Sequence, residues 1–125
     1  MSTRTALICD DDRMIAALAK LVLKQKGFTV LEAPDGGAGL DIIRAERPKL
    51  VLLDLNMPGT DGRAVLRTLQ AEAYTSSYIV VLSGEESTEV DAEVRALGAQ
   101  ECMRKPFNPL DLGRKLEELV RNGSV

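Results

Sequence analysis

The sequence contains no histidine and no tryptophan, and aromatic side chains make up only 3% of its 125 residues. Serine and cysteine catalytic triads of the usual kind and most zinc sites depend on imidazole, so the absence of histidine excludes them. It also excludes phosphohistidine chemistry within this chain. Any phosphohistidine that takes part in its reactions must therefore come from a partner.

Cysteine is also scarce, because the chain has only Cys9 and Cys102. Both fall in stretches that we predict below to be strands, the first and the fifth, which are separated by three strand spacings in the expected sheet. That distance of about 14 Å exceeds the roughly 7 Å that a disulfide can bridge between two Cα atoms. We therefore expect two thiols and no disulfide.

The chain has no excess of basic residues and no long apolar run. Its net charge of -3 and pI near 5.0 give little support to nucleic-acid or anionic-membrane binding. The longest apolar run, Met14 to Ala19, is far shorter than the ~20 residues of a membrane-spanning helix. The first residues lead into a strand without a signal-peptide core. We expect a cytoplasmic protein without nucleic-acid or membrane partners.

The composition that remains is that of an ordinary folded protein, with 45% hydrophobic and 28% charged residues. A chain of 125 residues is long enough for one hydrophobic core and too short for two. We therefore predict a single globular domain over residues 1–125.

The most informative stretch is the apolar run from Leu50 to Leu53, which ends at Asp54. A run without polar alternation is typical of a strand buried on both faces, as in a parallel sheet covered by helices. Pro58, Gly59 and the Asp61-Gly62 pair then indicate a loop. Asp54 is thus expected at the carboxyl end of a central strand, the edge at which open α/β sheets bind ligands.

Four other short apolar stretches have strand character, and a segment of helical periodicity follows each strand. Gly27 and Gly98 are predicted helix ends, Asp35 to Gly37 a turn, and Asp61 and Asn108 helix N-caps. The alternation favours a flavodoxin-like (βα)5 fold, a doubly wound α/β sandwich whose parallel sheet has the order 2-1-3-4-5. The expected strands besides the central one are 6–9, 28–31, 78–82 and 101–104.

In this order the first and third strands are neighbours, so Asp10, Asp11 and Asp54 should meet at one edge, with Ser83 and Lys105 reaching in from the fourth and fifth strands. Three carboxylates so close together repel one another, and Mg²⁺, which prefers oxygen ligands, would relieve the repulsion. A metal, an ammonium and a hydroxyl together suit a phosphoryl group in transfer. Asp54 is the best nucleophile, because a carboxylate is already ionised at neutral pH and needs no general base.

The motifs resemble those of the receiver domain of two-component response regulators, including the single-domain chemotaxis type. The resemblance extends from Ala6 to about Val120. Four motifs occur in the family's order: Asp10-Asp11, Asp54 followed by Met57-Pro58-Gly59 and Asp61-Gly62, Ser83-Gly84, and Lys105-Pro106-Phe107.

The resemblance implies that Asp54 accepts a phosphoryl group from the phosphohistidine of a histidine kinase or histidine phosphotransfer protein. It implies that Asp11, Asp54 and the main-chain oxygen of Asn56 hold Mg²⁺, with Asp10 acting largely through water. Lys105 and Ser83 would contact the phosphoryl oxygens. A cis peptide bond is implied after Lys105.

The resemblance also implies a switch. Ser83 and the loop before the fourth helix would move toward the phosphoryl group, and the face formed by the fourth helix, fifth strand and fifth helix would change its downstream protein partner. Cys102 stands where many receivers have an aromatic residue, and we interpret it as an inert, buried thiol. Asp12 is interpreted as a solvated loop residue.

We expect a phosphoacceptor domain that turns over no separate substrate. Two alternatives to this function remain. A small Mg²⁺-dependent phosphatase could also use an aspartyl nucleophile, but it usually has an acid-base carboxylate two residues later, where this chain has Asn56. A phosphorylation-independent interaction module of the same fold is the second alternative. The complete set of Asp10, Asp11, Asp54, Ser83 and Lys105 disfavours it.

Overall fold

A parallel five-stranded sheet forms the centre of the computed structural model, which describes residues 4–57, 59, 61–84 and 88–125. The strand order is β2-β1-β3-β4-β5, which confirms the predicted fold. The strands are β1 (Arg4–Cys9), β2 (Phe28–Ala33), β3 (Leu50–Asp54), β4 (Tyr78–Ser83) and β5 (Glu101–Arg104). The helices are α1 (Arg13–Gln25), α2 (Gly36–Glu46), α3 (Gly62–Ala71), α4 (Thr88–Ala96) and α5 (Pro109–Arg121).

Helices cover both faces of the sheet, and β3 is buried along its whole length. Because successive side chains of a strand point to opposite faces, Val51 and Leu53 pack with α2, α3 and α4, whereas Leu50 and Leu52 pack with α1 and α5. This double burial explains why the β3 sequence has no polar alternation.

Among the described residues, side chains cap the start of four helices, and each of these caps lies at the carboxyl edge of the sheet. Asp61 and Asn108 cap α3 and α5 as predicted, accepting hydrogen bonds from Ala64 N and Asp111 N. Two interpretations of the sequence were incomplete. Asp12 is exposed but caps α1, and the turn expected at Asp35 is the capped start of α2.

The strands extend beyond their apolar runs. β1 begins at Arg4 rather than Ala6, because Arg4 pairs with Phe28 in β2. β4 continues through Ser83, which pairs with Arg104 in β5. Backbone hydrogen bonding to a neighbouring strand, which the side-chain pattern does not report, sets these ends.

Neither cysteine forms a disulfide, as predicted, but their surroundings differ. Cys9 is buried in β1, near the middle of the sheet. Cys102 is only half-buried, so the prediction of a buried thiol was wrong. β5 is an edge strand, and most of its side chains are partly exposed for that reason.

No helix in the described part of the chain is long and apolar enough to span a membrane.

Candidate functional site

Three aspartates converge at the carboxyl edge of the sheet. Asp10 and Asp11 follow β1, Asp54 ends β3, and the pairing of Cys9 with Leu53 places the two strand ends side by side. One carboxylate oxygen from each aspartate lies within 4.8 Å of the others. Asp10 and Asp54 are 5% and 4% exposed, while Asp11 is open to solvent. The predicted cluster therefore has a buried floor and an open side.

Lys105 reaches the same cluster from the end of β5. Its Nζ lies 2.9 Å from Asp10 Oδ2 and 3.3 Å from Asp54 Oδ2. Its backbone N–H donates to Ser83 O at 2.8 Å, which ties the end of β5 to that of β4. The Lys105-Pro106 peptide is cis, as the resemblance implied. A single ammonium thus faces two buried carboxylates.

Backbone N–H groups satisfy one oxygen of each buried carboxylate. Asp12 N donates to Asp10 Oδ1 at 2.9 Å, and Asn56 N donates to Asp54 Oδ1 at 3.2 Å. Asp10 Oδ2 accepts no hydrogen bond from the described residues. The Lys105 ammonium forms an ion pair with this oxygen. An acceptor this deeply buried normally has a hydrogen-bond partner.

Burial raises the pKa of the Asp54 carboxyl from an ordinary value of 3.8 to about 6, and the adjacent Asp10 adds to this rise. Lys105 and the Asn56 N–H oppose it. Burial by itself would lower the pKa of the Lys105 ammonium, but its contacts with Asp10 and Asp54 raise it overall. The carboxylates therefore remain under electrostatic repulsion that one lysine does not fully compensate.

The donor set fits Mg²⁺. It consists of hard carboxylate oxygens, it includes a buried oxygen to which no described residue donates a hydrogen bond, and its open side has room for the waters that this ion retains. Asn56, whose main-chain oxygen the resemblance implied as a ligand, lies in the turn directly after Asp54.

Ser83 is fully buried at the end of β4. It follows Leu82, the residue paired with Asp54, and so lies at the same edge of the sheet as the aspartates. The loop predicted to move with Ser83 includes residues 85–87, which lie outside the described part of the chain.

Cys9 and Met57 contact each other next to the aspartates. The sequence analysis did not predict this contact. The Cys9 thiol lies 3.3 Å from Asp35 O and 3.8 Å from Met57 Sδ. Burial, reinforced by the charges of Asp35, Asp10 and Asp54, raises the pKa of this thiol to about 12. The thiol therefore stays neutral and adds no charge beside the carboxylates. The only sequence signal for this contact is the place of Met57 in the motif that follows Asp54.

Comparison with known proteins identifies the family. Residues 6–117 match the family described as the response regulator receiver domain. The chain belongs to this family. Receiver domains are the phosphoacceptor signalling domains of two-component systems; they interact with histidine kinases, typically bind Mg²⁺ at an acidic pocket and are generally not enzymes in the usual sense.

Curated relatives of this receiver domain include longer regulators. The cell cycle transcriptional regulator CtrA of Caulobacter vibrioides is 37% identical over 117 residues, which cover 92% of this chain and 49% of CtrA. The DNA-binding response regulator MtrA of Mycolicibacterium smegmatis is 35% identical over 115 residues, which cover 92% of this chain and 50% of MtrA. The receiver domain thus spans about half the length of these relatives. The expected absence of nucleic-acid contact concerns residues 1–125 only, and it stays a prediction.

Solved structures show the same fold. A CheY-like receiver domain protein from Methanospirillum hungatei is 30% identical with a TM-score of 0.85, covering 97% of this chain and 96% of its own. The chemotaxis protein CheY4 of Vibrio cholerae is 29% identical with a TM-score of 0.85, covering 94% and 98%. These likenesses extend over nearly the whole receiver domain.

Proposed function

We propose that Asp54 is the phosphoacceptor of this receiver domain. The observation that supports this most is the position of its carboxylate, which is buried at the end of the central strand within 4.8 Å of Asp10 and Asp11 and 3.3 Å from Lys105. Asp11 is exposed, and Asp10 is further from the centre of the sheet and closer to the ammonium. Asp54 is therefore the carboxylate best placed for nucleophilic attack.

In the proposed reaction an oxygen of Asp54 attacks the phosphorus of a phosphohistidine on the partner kinase or phosphotransfer protein. A P–O bond forms while the P–N bond breaks, and the imidazole nitrogen leaves with the electron pair. Lys105 and Ser83 contact the phosphoryl oxygens, where the charge spreads during transfer. The pKa of about 6 leaves most Asp54 carboxyls ionised at neutral pH, as a nucleophile requires.

Asp11, Asp54 and the main-chain oxygen of Asn56 would hold Mg²⁺, with Asp10 acting through water. When bound, the ion would compensate negative charge on the carboxylates and on the incoming phosphoryl group. Asp10 Oδ2, which accepts no hydrogen bond from the described residues, supports this assignment, because a metal-bound water could donate to it.

The output surface in this proposal is the face formed by α4, β5 and α5. Glu101 on β5 accepts hydrogen bonds from Tyr78 Oη at 2.5 Å and from Lys115 Nζ at 2.6 Å, and so joins β4, β5 and α5 on that face. The Lys105-Ser83 backbone hydrogen bond links this group of elements to the phosphorylation site. A change at Ser83 could thus bias the surface that a downstream protein recognises.

We extend the proposal to the domain as a whole. Residues 1–125 would form one receiver domain that acts in the cytoplasm and turns over no separate substrate. Asn56, in the position where a phosphatase of this chemistry would have its second carboxylate, supports the last point.

The test is incubation with Mg²⁺ and an acyl phosphate donor, followed by intact mass measurement. We expect a labile shift of one phosphoryl group in the wild type and in Asp12→Asn, and none in Asp54→Asn. Asp12→Asn is a matched control, because the same substitution removes a carboxylate beside Asp10 and Asp11, at a helix cap that asparagine also serves.

Three results would contradict the proposal. Label retained by Asp54→Asn at the wild-type rate would exclude Asp54 as the acceptor. Turnover of added phosphoesters would indicate the phosphatase, and neither label nor turnover would indicate the interaction module.

A further inference from the structure

Gly62, the first residue of α3, lies directly against the backbone of the phosphoacceptor strand. Its N–H donates to Leu55 O at 3.0 Å. A Cβ on this residue would lie 2.5 Å from Asp54 O and 2.8 Å from Leu55 Cα. Nonbonded heavy atoms are at their best about 3.5–4.0 Å apart, so no side chain fits between α3 and this peptide.

The atoms that exclude a Cβ at Gly62 belong to the main chain of a buried strand end, and no rotamer change can move them aside. Gly113 in α5 provides a contrast, because a Cβ there would meet Lys26 Cε at 3.6 Å and Val22 Cγ1 at 3.9 Å, which are ordinary contacts. Glycine is less favourable than alanine within a helix. At position 62 the close approach of the backbone explains why glycine is present.

The peptide beneath Gly62 determines where Asp54 lies relative to the rest of the site. It joins Asp54 to Leu55 and then to Asn56, whose N–H donates to Asp54 Oδ1. Asp10 and Lys105 are held by other strands, β1 and β5. A shift of this peptide would therefore move the Asp54 carboxylate and the Asn56 carbonyl relative to Asp10, Asp11 and Lys105.

We propose that Gly62 is a positioning residue for phosphoryl transfer: its missing side chain lets the first turn of α3 rest on the Asp54-Leu55 peptide and fix the acceptor against its partners. This inference rests on the proposed function of Asp54. It adds a requirement on a residue that touches neither the phosphoryl group nor the metal.

Gly62→Ala is the direct test, with Leu69→Ala as its matched control. Leu69 lies in the buried face of the same helix, about two turns beyond Gly62, so its truncation weakens the packing of α3 away from the Gly62 contact. Both variants are measured at a temperature at which each is folded. The readouts are the rate of labelling by an acyl phosphate, the Kd for Mg²⁺ and the NMR shift of the Asn56 amide.

We expect Gly62→Ala to lose about tenfold to a hundredfold in labelling rate, in line with the effect of a displacement of about 1 Å on a reacting group. Its Kd for Mg²⁺ should rise and its Asn56 amide resonance should shift. Leu69→Ala should keep the wild-type rate within about twofold once the folded fraction is accounted for.

A second pair of variants tests the contact without a steric clash, should Gly62→Ala fail to fold. Asp61→Ala removes the α3 cap next to Gly62, and Asp35→Ala removes the same kind of cap, with the same loss of charge, from α2. Asp61→Ala should lower the labelling rate and weaken Mg²⁺ binding more than Asp35→Ala does.

The inference is overturned if the wild type is labelled and Gly62→Ala is labelled as fast as Leu69→Ala, or if the two cap variants lose equally. Failure of the proposed function is distinguishable, since the wild type would then not be labelled at Asp54 at all.

Discussion

The two edges of the central sheet treat their polar groups in opposite ways. At the amino edge of β3 and β4, the buried Ser77 hydroxyl donates to Pro48 O and lies 2.7 Å from Tyr74 Oη. The Arg47 guanidinium lies 5.8 Å from the centre of the Tyr74 ring and donates to Ser76 Oγ. At the carboxyl edge, Asp10 Oδ2 has no hydrogen bond from the described residues, and the pKa of Asp54 is raised.

The groups that stabilise the fold and the groups of the candidate site thus lie at opposite edges of the same sheet. Paired groups at the amino edge contribute to stability in every state of the protein. The negative charge of the carboxylates at the other edge is only partly compensated. A bound cation or a neutralising substitution there should therefore raise the stability of the protein. Such local destabilisation is common where activity and stability compete.

Ser77→Ala should change stability more than either Mg²⁺ binding or the loss of a charge at the carboxyl edge does. It leaves the Pro48 carbonyl without its buried donor, which should cost about 2 kcal/mol of unfolding free energy. Urea unfolding measures the loss. The exposed Ser76→Ala is the control and should change stability by no more than about 0.5 kcal/mol. A weakened response to Mg²⁺ in Ser77→Ala would show that the two edges are not independent.

Mg²⁺ should raise the stability of the wild type by about 1.4 kcal/mol at ten times its Kd, because it binds only the native site. A thermal-melt titration measures this rise. Asp11→Ala should abolish it, whereas Asp111→Ala, which removes an exposed carboxylate from the first turn of α5, should preserve it. The absence of any shift at tens of millimolar Mg²⁺ would exclude the metal site.

Asp54→Asn should stabilise the metal-free protein at neutral pH by about 1 kcal/mol, because it removes one charge from a repulsive cluster. The unfolding free energies of the variant and the wild type should be compared across pH. Asp12→Asn, an exposed cap, should give no comparable gain.

The advantage of Asp54→Asn should shrink as the pH falls. The native pKa of Asp54, about 6, is higher than its ordinary value of 3.8, so the native state binds the proton more tightly than the unfolded state. This contribution is fully present below the ordinary pKa and is lost as the pH rises through about 6. A stability difference between the two proteins that is constant from pH 4 to pH 7 would contradict the raised pKa.

The sequence by itself was sufficient for the fold and for the members of the acidic cluster. The unbroken apolar run before Asp54 predicted a strand buried on both faces, and the alternation of strands and helices left few topologies. Parallel strands bring their carboxyl ends to one edge, so Asp10, Asp11 and Asp54 were expected together before any distance was known. These conclusions depend on periodicity and chain direction, both of which can be read along the sequence.

Only the tertiary structure decided which side chains are covered and which backbone atoms touch. Cys102 has the residue type of a buried position, yet it is half-buried because β5 is an edge strand. Gly62 read as part of a loop, and its contact with the Asp54-Leu55 peptide depends on how closely α3 packs against β3. Exposure and close contact depend on how strands and helices pack against one another, so no local pattern of residues encodes them.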